Sequence, residues 1–159
     1  MADQAFNIAK GRTVEWYNRV ESNDPAASAF IVVLLKVAEA DATLIDYDDL
    51  GALLGAAGNT EATFTNYVRK TITDAELAAL PAPDDSNNRF DVDMPDVVWT
   101  SAGNGANDTL VKLLVCYDSD TAGGTDANIL PVAHYDFAVT TDSNDLTAEF
   151  DAAGFFRAS

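Results

Sequence analysis

Residues 84–101 constrain the fold of this chain more than any other stretch. A polar, turn-forming cluster at 84–88 runs into a segment where Phe90, Val92 and Met94 alternate with Asp91 and Asp93. A period of two sends one set of side chains into a core and the other into water. The stretch therefore predicts a strand with one buried and one acidic face. The same style continues to the C-terminus, where 97–100, 110–117, 129–140 and 146–150 are short apolar strands separated by Asp, Asn, Thr and Gly. Upstream, 14–20 places Val14, Trp16, Asn18 and Val20 opposite Glu15, Tyr17 and Arg19, which reads as a further strand. Residues 30–36 are apolar on both faces, as a central strand requires. Residues 64–73 alternate as well.

Two segments break this pattern. Over 43–57, Leu44, Tyr47, Leu50, Leu53, Leu54 and Ala57 recur at intervals of three and four, predicting a medium helix that Gly58 and Asn59 would stop. Thr73-x-x-Glu76 has the form of a capping box, predicting a short helix over 74–80 ended by Pro81. The chain thus reads as mainly β, a β-sandwich or jelly-roll, with one medium and one short helix. Its 159 residues fit one domain, with 1–25 able to form an extended docking arm outside the core.

The net charge of −17 is unevenly spread. Lys10, Arg12, Arg19 and Lys36 balance Asp3, Glu15, Glu21 and Asp24 within the first 36 residues, so the whole excess lies beyond them. Such a body repels nucleic acid and anionic lipid, which need Lys and Arg against their phosphates. Solubility at high local concentration, or adaptation to high salt, accounts for the acidity. The start of the chain does not read as a signal peptide, and its longest apolar run, 29–35, is too short to span a membrane. Synthesis and folding in a cytoplasm are expected. Cys116, the single cysteine, sits in an apolar strand and reads as a buried thiol.

No residues are arranged for catalysis, and the chain reads as non-enzymatic, without a cofactor. His134 is the only histidine and reads as a strand residue flanking the core. There is no Gly-x-Ser-x-Gly elbow and no phosphate-binding glycine loop. Asp118, Asp120 and Asp126, around Gly123-Gly124, form a calcium candidate, since hard cations take carboxylate oxygens, although the spacing departs from an EF-hand. An Asp/Gly turn accounts for them equally well. Phe6, Arg12, Trp16, Tyr17 and Arg19 are candidate protein-interface residues, because aromatics and arginine dominate binding hot spots and these lie in the charge-balanced segment. The alternative for Trp16 is the core.

Several segments together resemble a family of small acidic proteins of tailed bacteriophages. The residues are Ala5-Phe-Asn-Ile-Ala-Lys-Gly-Arg12, Tyr17-Asn-Arg-Val20 with Asn23-Asp-Pro25, Asp74-x-x-Leu-Ala-Ala-Leu-Pro-Ala-Pro-Asp-Asp85, and Asp91-Val-Asp-Met-Pro-Asp96 with Trp99. Lys112-Leu-Leu-Val-Cys-Tyr-Asp118, Gly124-Thr-Asp126 and Gly154-Phe-Phe-Arg157 complete the set. The resemblance carries no catalytic residue. It implies a virion component, foremost a capsid decoration (cement) protein that binds the shell of major capsid protein, as a trimer or dimer on the capsid surface. The alternatives are a tail or head–tail connector component, or a carbohydrate-binding module of a receptor-binding apparatus. The last would display Trp16 or Trp99 in a shallow groove.

Overall fold

Strand β2 (Ala29–Val37) is buried along its first seven residues, and everything else is arranged around it. A computed structural model describes residues 3–151 and 155–158. In chain order the other strands are β1 (Gln4–Ala5), β3 (Thr60–Glu61), β4 (Lys70–Ile72), β5 (Phe90–Val92), β6 (Val97–Trp99), β7 (Thr109–Asp118), β8 (Leu130–Thr140), β9 (Leu146–Ala148) and β10 (Phe156–Ala158). Helices α1 (Thr13–Glu21), α2 (Asp41–Leu44) and α3 (Leu50–Gly55) and two 3-10 turns complete the chain.

The fold is mainly β and all its pairings are antiparallel. The large sheet runs β1-β8-β7-β2-β3, with β4 also on the β3 side of β2. Two small sheets pair β5 with β10 and β6 with β9. The register of β2 against β7 puts Phe30 opposite Tyr117, on one face, and Ile31 opposite Cys116, on the other. On the Phe30 face, α1 stacks Trp16 flat on Tyr117 at 5.4 Å and brings Tyr17 to 6.2 Å from Phe30. The small sheets join the same face: Phe155 lies 5.8 Å from Phe30 and its N–H donates to the Val92 carbonyl. The result is sandwich-like, two unequal layers closing over aromatic rings. On the Ile31 face, Phe6 meets His134 edge-on at 5.7 Å, and α2 is tied down through Asp41 to Lys112 of β7.

Five local expectations change. Residues 14–20 are helical, and the reason lies in their own sequence: Thr13, Trp16, Tyr17 and Val20 are buried together at helical spacing. A strand reading sets Tyr17 against Trp16 and puts Asn18 on the inner face. Consequently 3–25 is no arm; β1 pairs with β8 and α1 packs on the sheet. Met1 and Ala2, the start of that predicted arm, and Gly154 of the C-terminal motif fall outside the described residues.

The medium helix over 43–57 is two short ones. Asp49 interrupts it by capping α3, its carboxylate accepting the Ala52 N–H at 2.7 Å. The capping box of Thr73 and Glu76 forms, with Glu76 accepting the Thr73 N–H at 2.7 Å, but it closes only hydrogen-bonded turns. Pro81 and Pro83 lack the N–H groups that would carry a helix further. Of 64–73, only Lys70–Ile72 pairs with β2. Asn66, at φ 73°, turns the chain out of the strand.

That departure leaves a gap in the sheet between β3 and β4, and Tyr67 fills it. Its hydroxyl accepts the Leu34 N–H at 3.1 Å and donates to Glu61 at 2.8 Å. Glu61 in turn accepts from Arg69, whose guanidinium also holds Asp126 at 2.6 and 2.8 Å. A side chain thus completes a backbone ladder. Tyr67→Phe is expected to lower the unfolding free energy by about 1–3 kcal/mol, because it strands the Leu34 N–H in a fully buried strand. Urea denaturation measures this, and a change near zero would mean the hydroxyl is not needed there.

Candidate functional site

The predicted interface residues part company in the structure. Phe6, Trp16 and Tyr17 belong to the chain's own core, each no more than 1% exposed. The Tyr17 hydroxyl donates to the Ala78 carbonyl at 2.9 Å. Arg12 and Arg19 stay on the surface, Arg12 over the Trp16 ring at 4.9 Å and Arg19 paired with Glu15 at 3.0 Å. The aromatics are therefore spoken for, and only the two arginines remain open to a partner. Trp99 is equally interior, its indole N–H donating to the Val68 carbonyl at 2.8 Å.

Of the calcium candidates, Asp118 and Asp126 line one hollow of about 220 Å³ with Gly123 and Gly124, and Asp120 does not join them. Asp118 accepts the Asp120 N–H at 3.0 Å and Asp120 accepts the Ala122 N–H at 3.1 Å, an ordinary chain of Asx turns. Asp126 is engaged by Arg69, which holds its carboxyl below the usual range. Among the described residues no three His, Cys, Asp or Glu side chains gather as a cation would require. Calcium in the millimolar range is expected to leave the thermal midpoint where EDTA leaves it. A rise of several degrees that Asp126→Asn removed would reinstate the site.

Sequence reasoning missed a buried ionic cluster. Lys112 is fully buried, and its ammonium donates to Asp41 at 2.6 Å and Asp136 at 2.5 Å, with His134 Nδ1 at 3.5 Å. The signal was present as a lysine inside the apolar run 110–117. Burial pushes the Lys112 ammonium down, but its bonds to Asp136 and Asp41 outweigh this and the net shift is upward. His134 is pushed below its ordinary 6.5, by burial first and then by the Lys112 charge. Its Nε2 has no hydrogen-bond partner among the described residues. Cys116 lies in the same face of the sheet, and burial pushes its thiol well up, as expected for an inert core thiol.

These shifts set a pH profile. The unfolded chain protonates His134 near 6.5 while the folded chain resists, so stability falls as pH drops below about 6.5. Asp108 and Asp126 are held below 3.8, and their contribution is lost at still lower pH. The Lys112 contribution, with its raised folded value, is present below about 10.5 and lost above it. The thermal midpoint is expected to be flat from about pH 7 to 9, to decline in two stages on the acid side, and to lose the first stage in His134→Gln.

One concavity lies on the Phe30 face, beside β8. It has a volume of about 360 Å³. Leu113, Tyr135, Phe137, Phe150 and Phe155 form its apolar wall, and Asp3, Asp136, Glu149 and Asp151 its rim, without a lysine or arginine. Tyr135 fixes the wall, its hydroxyl donating to the Phe155 carbonyl at 2.5 Å and its ring meeting Phe150 edge-on at 6.1 Å. A second hollow of about 210 Å³ shares Asp3, Tyr135 and Phe155 and extends the cleft toward β1. Here β8 is an edge strand. β1 pairs only with Ala133 and His134, so among the described residues 135–140 have no strand on their outer side.

No family model, curated protein or solved structure matches the chain. Among the described residues no helix is long and apolar enough to cross a membrane.

Proposed function

We propose that this chain is a non-enzymatic structural protein of a tailed-phage virion, a capsid decoration protein bound as a dimer or trimer on the outside of the assembled head shell. One observation supports the reading beyond the sequence resemblance. Arg12, Arg19, Lys36, Arg69, Arg89, Lys112 and Arg157 are each held in ion pairs within the chain. These seven cations are thus neutralised locally, and the excess carboxylates are left to define the outer field. A coat of that sign keeps particles apart and repels nucleic acid. A protein that binds the closed shell and not its free subunits stabilises the shell by mass action.

The sugar-binding alternative loses its aromatic platform, since both tryptophans are interior. The test is a cryo-electron microscopy map of the parent virion. Density for this chain at repeated positions on the icosahedral shell is the expected result. Density confined to the tail or portal vertex would move the assignment to a connector component, and absence from the particle would overturn the structural role.

A further inference from the structure

We infer that Asn104 is a site of spontaneous covalent modification, its side-chain amide being converted to aspartate and isoaspartate through attack by the Gly105 backbone nitrogen. Such an attack needs a nitrogen free of hydrogen bonds, an amide carbon open to water, and a backbone that lets the two approach. Glycine in the following position permits the approach, because it lacks the Cβ that forbids most backbone rotations. Of the eleven asparagines in the chain, only Asn104 is followed by glycine. The tertiary structure selects the same residue. On one side the Ala102 N–H donates to the Asn144 carbonyl at 2.8 Å, and the Gly103 N–H to the Thr65 carbonyl at 2.9 Å. On the other, the Ala106 carbonyl accepts the Thr65 N–H at 3.0 Å. Asn104 and Gly105 are the exposed crest between these anchors. Among the described residues neither the Asn104 side chain nor the Gly105 N–H makes a hydrogen bond. Gly105 has a φ of +118°, and a Cβ there would meet only Thr65 Oγ1, at 3.4 Å, so the crest is open.

Other asparagines are tied down. Asn7, Asn59, Asn66, Asn87 and Asn144 each donate their side-chain amide to an acceptor. Asn18 and Asn88 have no such bond among the described residues, but the backbone protects them. Asn18 lies inside α1, and the Arg89 N–H that follows Asn88 donates to the Asp84 carbonyl at 3.2 Å. The chemistry at Asn104 needs only water and hydroxide. Hydroxide takes the Gly105 amide proton, the nitrogen attacks Asn104 Cγ and closes a succinimide, and Nδ2 leaves as ammonia with a proton from water. Water then opens the ring at either carbonyl. One opening gives aspartate, and the other gives isoaspartate, whose main chain runs through Cγ and is one carbon longer. Either product adds a negative charge to a chain already at −17. The inference stands apart from the virion role.

The test incubates the full-length protein at physiological temperature in mildly alkaline, heavy-oxygen water and separates the products by anion exchange. A more acidic species is expected, forming faster as hydroxide rises. Fragment mass spectra should place a heavy oxygen at residue 104, and an isoaspartyl methyltransferase should label the product. Asn104→Gln, at an exposed position, is expected to stay folded and to lose this species, because glutamine must close a larger ring that forms more slowly. The same reaction in urea supplies the reference rate, and the folded chain should react within about tenfold of it. A fold that held Gly105 N and Asn104 Cγ out of reach would slow the reaction by about a hundredfold, and that result would overturn the site. So would modification appearing first at another asparagine, or an acidic species that persists at the same rate in Asn104→Gln.

Discussion

Trp16→Ala is expected to lower the unfolding free energy by about 3–5 kcal/mol, the range for emptying an aromatic site in a packed core. The stack on Tyr117, with interplanar angle 3°, and the cover by Arg12 would both be lost. For a domain of this size that corresponds to a fall in thermal midpoint of about 10 °C. Total stabilities of small domains are about 5–15 kcal/mol, so the variant would sit near the edge of folding. Trp16→Phe, which keeps a ring against Tyr117, should recover much of the loss. Equilibrium urea denaturation reads both. A stability change under about 1 kcal/mol for the alanine variant would mean that α1 is not packed in solution and would return Trp16 to the role of a docking residue.

Lys112→Met should be the next most damaging change, at about 3 kcal/mol, the low end for breaking a buried ion pair. The buried stem is matched by methionine, so the damage comes from Asp41 and Asp136, left close together without their cation. The Asp136 side chain keeps 35% of its exposure, and water there softens the penalty. The triple variant Lys112→Met, Asp41→Asn, Asp136→Asn should regain most of the lost stability, because no uncompensated charge remains. Failure of the triple variant to regain any would show that packing, not charge, is what Lys112 supplies. The single variant also removes the nearest positive charge from His134, so the first acid-side decline should shrink while its onset stays near pH 6.5.

The strands that sequence made legible are those whose apolar pattern is fixed by long pairings. Residues 30–36, 110–117 and 129–140 became β2, β7 and β8, and 97–100 and 146–150 became the β6–β9 pair, each within a few residues. Local pattern failed where tertiary contacts chose among periods. Trp16 and Tyr17 are adjacent and both aromatic, so they satisfy a strand and a helix template alike, and the flat surface of Tyr117 decides. Tyr67 was assigned to a strand, yet its hydroxyl stands in for one. The candidate interface was the least legible part, because a hot-spot composition and a core composition are the same residues. The ionic cluster around Lys112 was hidden for the opposite reason: its carboxylates come from segments far apart in the chain, Asp41 and Asp136, and no spacing rule links them.

The placement of β2 has a consequence for how the molecule is made. Its long partner β7 follows only after the helices, β3 to β6 and their loops have been synthesised, whereas β7 and β8 are neighbours that can pair as soon as both exist. The most apolar ribbon of the chain therefore emerges early and waits with the edge that β7 takes still open, although α1 precedes it and β3 and β4 can pair its other edge sooner. Distant pairings of this kind slow folding, and the waiting strand is the segment by which nascent copies would find one another. The acidic residues that dominate the later part of the sequence would then act on the ribosome as well as on the finished surface, holding growing chains apart until β7 arrives.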